Sequence, residues 1–273
     1  MGLPKCQYDF YDRDREKASA MPLMTEVLLF GVGIVAGIIN ALAGGSGFLA
    51  FPALVASGLP PIVANATNFI ALLPANAVGF AANIRELKHA HHSLPVRATI
   101  AAIGGAIGSL ILIWSGSEAF ERAVPWLLVI ATVLFGAGPV VKRRLEERHG
   151  FDGARHPGLL YLFEFVICVY GGYFGLGMGI VMLAIYAVLG QDDIGPANAV
   201  KNFVTTIVTV IGIGLYMSAG LIAWKPALIM AAGTTIGGFI SVGVQRRVSQ
   251  PVLRGFIFAW AIVLTAYAFI KYG

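Results

Sequence analysis

The sequence predicts an all-α polytopic membrane protein, and two observations carry that prediction. The first is composition, because 58% of the 273 residues are hydrophobic, 12% are charged and the mean hydropathy is +0.79. The second is the separation of charges, since no Asp, Glu, Lys or Arg lies between Glu26 and Arg85, whereas one helical span needs only about 20 apolar residues. Continuous apolar runs favour serial helices over a membrane barrel, whose segments alternate in polarity.

Each half of the chain divides into five apolar segments, ten in all. They are 22–43, 47–59, 62–84, 95–115 and 122–141, then 158–176, 179–190, 197–219, 222–245 and 251–271. The second segment of each half is too short to cross a hydrocarbon core of about 30 Å as a helix. We therefore expect broken or re-entrant helices there. The predicted domains are a polar tail at 1–21, a first membrane repeat at 22–141, a linker at 142–157 and a second membrane repeat at 158–273.

Three motifs recur in the same order at nearly one spacing, which predicts an internal repeat. The matches are Gly45 and Gly47 with Gly177 and Gly179, Asn68-Phe69 with Asn202-Phe203, and Ile107-Gly108 with Ile236-Gly237. Because each half has five segments, an odd number, the second half enters the membrane from the opposite side. Two inverted five-segment repeats with short, glycine-interrupted helices are typical of a transporter with its site near the midplane.

The basic residues of the connectors predict the orientation. Ten alternating passes collect eleven of them on one face and three on the other, apart from the N-terminal tail. By the positive-inside rule the first face is cytoplasmic, so the 142–157 linker is cytoplasmic and both termini lie outside a bacterial inner membrane. Re-entry of both short segments would weaken this bias, so we favour ten passes. Topology thus accounts for the net charge of +5, and no nucleic-acid partner is expected.

The candidate site is an anion site at the junction of the two repeats. Backbone amides freed at half-helix N-termini can face an anion. Lys201 lies inside a predicted helix, where a lysine either snorkels to the interface or binds an anion, and its match to polar Thr67 in the first half favours the anion. Asn40 is a lining residue or an interhelical hydrogen-bond donor. The predicted substrate-binding residues are Asn40, Gly45, Ser46, Gly47, Asn65, Thr67, Asn68, Gly177, Gly179, Lys201 and Asn202.

Other residues receive plainer interpretations. Glu164 could bind a coupling proton or pair with Lys201, but a carboxylate that reaches the cytoplasmic interface is the favoured interpretation. Close helix packing is predicted for three glycine pairs, each with a spacing of four. These pairs are Gly33 with Gly37, Gly104 with Gly108, and Gly233 with Gly237.

An enzyme is disfavoured, because no histidine or aspartate falls well inside a predicted span, which removes Ser-His and paired-Asp hydrolysis. The sequence also lacks a P-loop for nucleotide hydrolysis. We predict no catalytic residue, cofactor or metal. The expected partners are a small anion, the lipid bilayer and a coupled proton or ion. The alternatives are a permease for an unrelated small anion and a non-transporting scaffold or assembly protein whose glycines only pack helices.

At these motifs the chain resembles the sulfite exporter TauE/SafE family of membrane permeases. The resemblance covers residues 22–271. It rests on Asn40-Ala-Leu-Ala-Gly-Gly-Ser-Gly-Phe with Pro52 following, on Ala64-Asn-Ala-Thr-Asn, and on a second copy with Gly175, Gly177 and Gly179. It implies export of sulfite, organosulfonates or related sulfur-containing anions, driven by ion gradients.

The chain departs from the family pattern at two places. The family often shows Thr-Ser where this chain has Thr67-Asn68, and a small hydroxyl pair where it has Lys201-Asn202. Lysine adds a positive point charge where neutral donors would otherwise lie. An anion therefore remains the expected substrate, although the usual one is in doubt.

Overall fold

The computed structural model describes residues 21–43, 45–90, 93–146, 157–188, 194–244 and 250–272, and this part of the chain is all-helical, as the sequence predicts. The helices are α1 Leu23–Ala43, α2 Gly47–Ala56, α3 Pro61–Asn83, a 3-10 helix Ile84–Ala90, α4 Leu94–Glu146, α5 Pro157–Tyr173, α6 Met178–Val188, α7 Ile194–Ser218, α8 Trp224–Val244 and α9 Gln250–Tyr272. Five helical stretches are long and apolar enough to cross a membrane: Leu23–Asn40, Pro61–Ala81, Leu94–Ala137, Pro196–Ser218 and Gly255–Tyr272.

Helix α4 contains a sharp bend at Gly116. Its backbone angles there are φ 72° and ψ 176°, a conformation that L side chains avoid, so the bend requires glycine. The bend divides α4 into two arms, 94–115 and 117–146. Trp114 and Trp126 flank it and are strongly exposed, as expected of indole rings at a membrane surface. With this division, each of the ten predicted apolar segments overlaps a helix or a helix arm, and five helical stretches meet the length and apolarity that a membrane span needs.

Helices α1 and α8 cross in close contact through glycines. A β-carbon added at Gly33 would lie 2.6 Å from the carbonyl oxygen of Met230, and one at Gly37 would collide with the carbonyl oxygen of Thr234. Because residue numbers rise together along both helices, α1 and α8 run parallel. Only glycine permits this backbone approach, so the predicted packing role of Gly33 and Gly37 is confirmed.

The first arm of α4 crosses α5 in the same way. A β-carbon at Gly104 would lie 3.1 Å from the carbonyl oxygen of Phe165, and one at Gly108 would collide with the carbonyl oxygen of Val169. These two helices also run parallel. The first helix of each predicted half therefore packs against the fourth segment of the other half, so the halves are interlocked.

Helix α3 lies at the centre, between α7 and α8. It runs antiparallel to α7, since Phe69 packs edge-on against Tyr216 near one end and Gly79 accepts a hydrogen bond from Asn202 near the other. The second arm of α4 and α9 are antiparallel too, through the pairs Trp126 and Phe269, Thr132 and Thr265, and Gly136 and Phe258.

Candidate functional site

Two helix breaks meet in the interior. The first separates α1 from α2, and the second separates α5 from α6 at 174–177. Gly177 has φ +75°, which closes the turn into α6. The breaks touch directly, because a β-carbon at Gly47 would lie 3.0 Å from Leu176 Cγ and one at Gly177 would lie 3.7 Å from the ring of Phe48. The N-termini of the half-helices α2 and α6 therefore begin beside each other.

Polar side chains tie the first break to α3. Ser46 Oγ donates to Asn40 Oδ1 at 2.8 Å, and Asn40 Nδ2 donates to Asn76 Oδ1 at 3.0 Å. Asn40 thus makes the interhelical hydrogen bond that was one of its two predicted roles. Sequence analysis missed Asn76, although an amide within the apolar segment 62–84 was a signal that could have revealed it. Neighbouring Gly45 packs against the apolar side chains of Phe135 and Ile257.

Lys201 lies against the start of α6. A β-carbon at Gly179 would lie 3.3 Å from Lys201 Cδ, so the lysine side chain passes directly over this glycine. Lys201 is half-buried on α7. It forms no hydrogen bond or ion pair with any residue that the structure describes. An unpaired ammonium inside a membrane helix is costly, so this position favours an anionic ligand.

Asn202, the next residue on α7, faces α3. Its Nδ2 donates to the carbonyl oxygen of Gly79 at 3.0 Å. Gly79 follows Asn76 by three residues, so both lie on one face of α3. The first break, Asn76 and Asn202 are therefore linked through a single face of the central helix, and Lys201 is the chain neighbour of Asn202.

The other predicted polar run lies nearer the start of α3. Asn65 Nδ2 donates to the carbonyl oxygen of Tyr173 at the end of α5, at 3.0 Å, and Thr67 Oγ1 accepts from the backbone N–H of Ala223 at 3.1 Å. Thr67 precedes Gly79 by twelve residues, about 18 Å at 1.5 Å per residue. The structure thus divides the predicted polar residues into two groups along α3, with Asn65 beside the second break and Asn202 toward the other end of the helix.

Two buried amide oxygens in the second group have no hydrogen-bond partner among the described residues, Asn65 Oδ1 and Asn68 Oδ1. Carbonyl oxygens accept hydrogen bonds and repel anions. The group of Asn65, Thr67 and Asn68 is therefore less suited to an anion than the group around Lys201.

Glu164 departs from its favoured interpretation. Instead of reaching the cytoplasmic interface, its side chain is fully buried and its Oε2 accepts from Arg97 Nη1 at 2.7 Å. Arg97 is also buried. The reason is that α4 and α5 run parallel in close contact, which brings the two charges together inside the helix pair.

Within the described part of the chain, no cluster of His, Cys, Asp and Glu could hold a metal ion.

Comparison with known proteins adds a family to this geometry. A family model described as sulfite exporter TauE/SafE matches residues 29–268. A "Probable membrane transporter protein" of Haemophilus influenzae is 28% identical over 250 residues, which cover 88% of this chain and 92% of the relative. "Probable membrane transporter protein ORF9" of a Sinorhizobium species is 25% identical, covering 87% and 91%. "Probable membrane transporter protein YfcA" of Escherichia coli K12 is 25% identical, covering 90% and 89%. No solved structure matches the chain.

Proposed function

This chain belongs to the sulfite exporter TauE/SafE family, and we propose that it is a secondary transporter that exports a small sulfur-containing anion by alternating access. The substrate class is sulfite, an organosulfonate or thiosulfate. The family description and the names of the relatives, all membrane transporters, support the transport class. No enzymatic step is proposed.

Lys201 is the observation that carries the proposal. Its ammonium group has no protein counter-charge in the described part of the chain, and its stem passes over Gly179 in the first turn of α6. An anion beside this lysine would also face the N-terminus of a half-helix, where unpaired amides and the helix dipole favour negative charge. Ser46, Asn40 and Asn202 are the polar side chains proposed to complete the site. Asn65, Thr67 and Asn68, on the other part of α3, are proposed to meet the anion in a different conformation of the carrier.

Matched contacts support an inverted repeat. The α1–α8 crossing and the crossing of α5 with the first arm of α4 use corresponding helices from exchanged halves. Thr132 and Thr265, 133 positions apart, contact each other at 3.2 Å, as residues near a pseudo-two-fold axis do. Such symmetry gives a carrier two related conformations, one open to each side. We keep the predicted orientation, with the 142–157 linker cytoplasmic, both termini outside and a bacterial inner membrane as the location.

The test is flux into proteoliposomes. We would measure uptake of labelled sulfite, sulfoacetate and thiosulfate by the wild type, Lys201→Ala and the matched control Lys225→Ala. Lys225 is a suitable control because it is exposed and pairs with Glu26 at 2.6 Å, at the start of α8. We expect Lys201→Ala to lower flux at least about tenfold, which corresponds to about 1.4 kcal/mol of lost anion binding, while melting temperature stays near that of the wild type.

Two outcomes would contradict the proposal. If Lys201→Ala lost folded protein and flux in equal measure, the lysine would be a packing residue. If the folded, inserted wild type carried none of the three anions, a wider anion panel would follow. Failure of that panel would favour the non-transporting scaffold.

A further inference from the structure

We propose that Glu164, Arg97 and Tyr186 form a proton-binding site that couples anion movement to a proton gradient. The inference depends on the proposed transport function and adds the coupling ion and its place of binding. The proton binds at Glu164 Oε1 and forms a neutral carboxylic acid. No bond other than this O–H bond is made or broken.

The ion pair between Arg97 and Glu164 is almost completely buried. The side chains of Arg97 and Glu164 are 3% and 0% exposed, and their nitrogen and oxygen atoms are 2.7 Å apart. Removing two charges from water costs several kcal/mol per ion, and replacing a buried pair by apolar side chains is often stabilising. The packing of α4 against α5 does not require this ion pair, because the two helices already make close backbone contact at Gly104 and Gly108.

The pair also leaves hydrogen-bonding capacity unused. Glu164 Oε1 and the Tyr186 hydroxyl are both buried and lack a hydrogen-bond partner within the described residues. Tyr186 belongs to the same cluster, since the guanidinium of Arg97 lies 5.2 Å from the centroid of its ring. A proton on Oε1 would provide an O–H donor, and the Tyr186 oxygen is an unused acceptor in the same cluster. A site built only to hold helices together would use these atoms.

The surroundings permit the charge of Glu164 to change. On α4, Arg97 Nε donates to Ser93 Oγ at 3.2 Å. Its guanidinium also lies over the rings of Tyr161 and Tyr186, at 5.8 and 5.2 Å from their centroids. Arg97 therefore keeps favourable partners when the carboxylate becomes neutral.

The titratable groups around Glu164 lie on every helix packed against α5. They are Arg97 on α4, Tyr161 and Cys168 on α5 itself, and Tyr186 on α6. On α7, which also packs against α5, Lys201 is the charged residue. It lies against Gly179 and is not paired with Glu164.

Helix α6 connects this cluster to the anion site. Gly179, which Lys201 covers, lies in its first turn, and Tyr186 lies seven residues later, about 10 Å along the helix. Protonation of Glu164 breaks its attraction to Arg97 and changes the contacts of Tyr186. Because α6 is short and follows a glycine break, it can move as one piece. A shift of α6 would alter the position of Gly179 against Lys201, which links proton binding to anion binding.

The experiment uses reconstituted full-length protein with the membrane potential clamped to zero by potassium and valinomycin. At zero membrane potential, one coupled proton per anion allows a gradient of one pH unit to support about a tenfold accumulation of the anion. We expect this accumulation for the wild type. Glu164→Gln should carry the anion only to equal concentrations. Glu118→Gln is the matched control, because Glu118 also pairs with an arginine, Arg122, but on the surface, and it should accumulate like the wild type.

Two further measurements distinguish a loss of proton coupling from a loss of folding or of transport. If Glu164→Gln does not fold, Arg97→Gln/Glu164→Gln leaves no unpaired buried charge and serves as the uncoupled variant. Infrared spectroscopy of the wild type over a pH series should show one buried carboxylic acid band that is absent from these variants, whether or not any anion is transported.

The outcomes are distinguishable. Anion flux in the wild type that ignores the pH gradient, or variants that accumulate like the wild type, would overturn the coupling site and leave transport standing. A titrating carboxyl band without flux of any anion would overturn the proposed function. Absence of the band would contradict proton binding at Glu164 directly.

Discussion

Substitution of Gly37 by alanine tests the helix crossing that holds α1 against α8. The new methyl group would collide with the carbonyl oxygen of Thr234 and lie 2.9 Å from the backbone nitrogen of Gly238. Backbone atoms cannot rotate away as a side chain can, so the two helices must separate. Overpacking of this kind costs about 1 to 3 kcal/mol. Alanine at Gly31, on the same helix, meets no atom within 4 Å and gains up to about 1 kcal/mol of helix propensity.

Each variant adds one methyl group to the same helix, which makes the two a matched pair. We would measure the free energy of unfolding of each in mixed detergent micelles, together with the melting temperature. Gly37→Ala should be less stable than Gly31→Ala by about 2 kcal/mol or more. Equal stabilities would refute the close crossing, and with it the interlocked arrangement of the two halves.

Three further substitutions probe the site and the buried pair. Asn202→Ala should weaken transport and stability together, by about 1 kcal/mol of unfolding free energy, because the hydrogen bond from Asn202 Nδ2 to the Gly79 carbonyl oxygen is lost; a change in transport alone would contradict this role. Gly179→Ala should raise the anion KM and leave the melting temperature unchanged, since the added methyl meets only a flexible side chain; an unchanged KM would argue against a site over α6. Arg97→Gln should destabilise the fold by about 3 to 5 kcal/mol, and adding Glu164→Gln should recover part of that loss; additive losses in chemical unfolding would contradict direct pairing.

Much of the fold could be predicted because the bilayer limits what a sequence can do. Backbone groups in hydrocarbon must pair within their own helix, so apolar run length alone defines most segments. The predicted segment 122–141 forms the second arm of α4, which follows the first arm directly because a single residue with non-helical backbone angles, Gly116, separates them. The packing glycines were predictable from their spacing, because only small residues permit backbone contact between helices.

The site was harder to predict, since it depends on which helices become neighbours. Matching Lys201 to Thr67 by the repeat treated equivalent residues as adjacent. Helices α3 and α7 are antiparallel, so two residues that match each other in the repeat, each near the start of its own helix, lie at opposite ends of the helix pair. Asn202 accordingly meets Gly79 instead of Asn68. The partner of Glu164 was missed for a related reason, because nothing in the sequence reveals that α4 and α5 run parallel.

The interlocked halves have a consequence for how the chain is made. Gly33 and Gly233 meet in the finished protein but are 200 positions apart, so at 5 to 20 residues per second α1 waits about 10 to 40 s for its partner. During this interval the glycine face of α1 is exposed to lipid and can pack against an incorrect helix. The second crossing, between Gly104 and Phe165, closes after a much shorter stretch of synthesis. Assembly should therefore begin with α4 and α5, and α1 should be the helix that insertion chaperones shield.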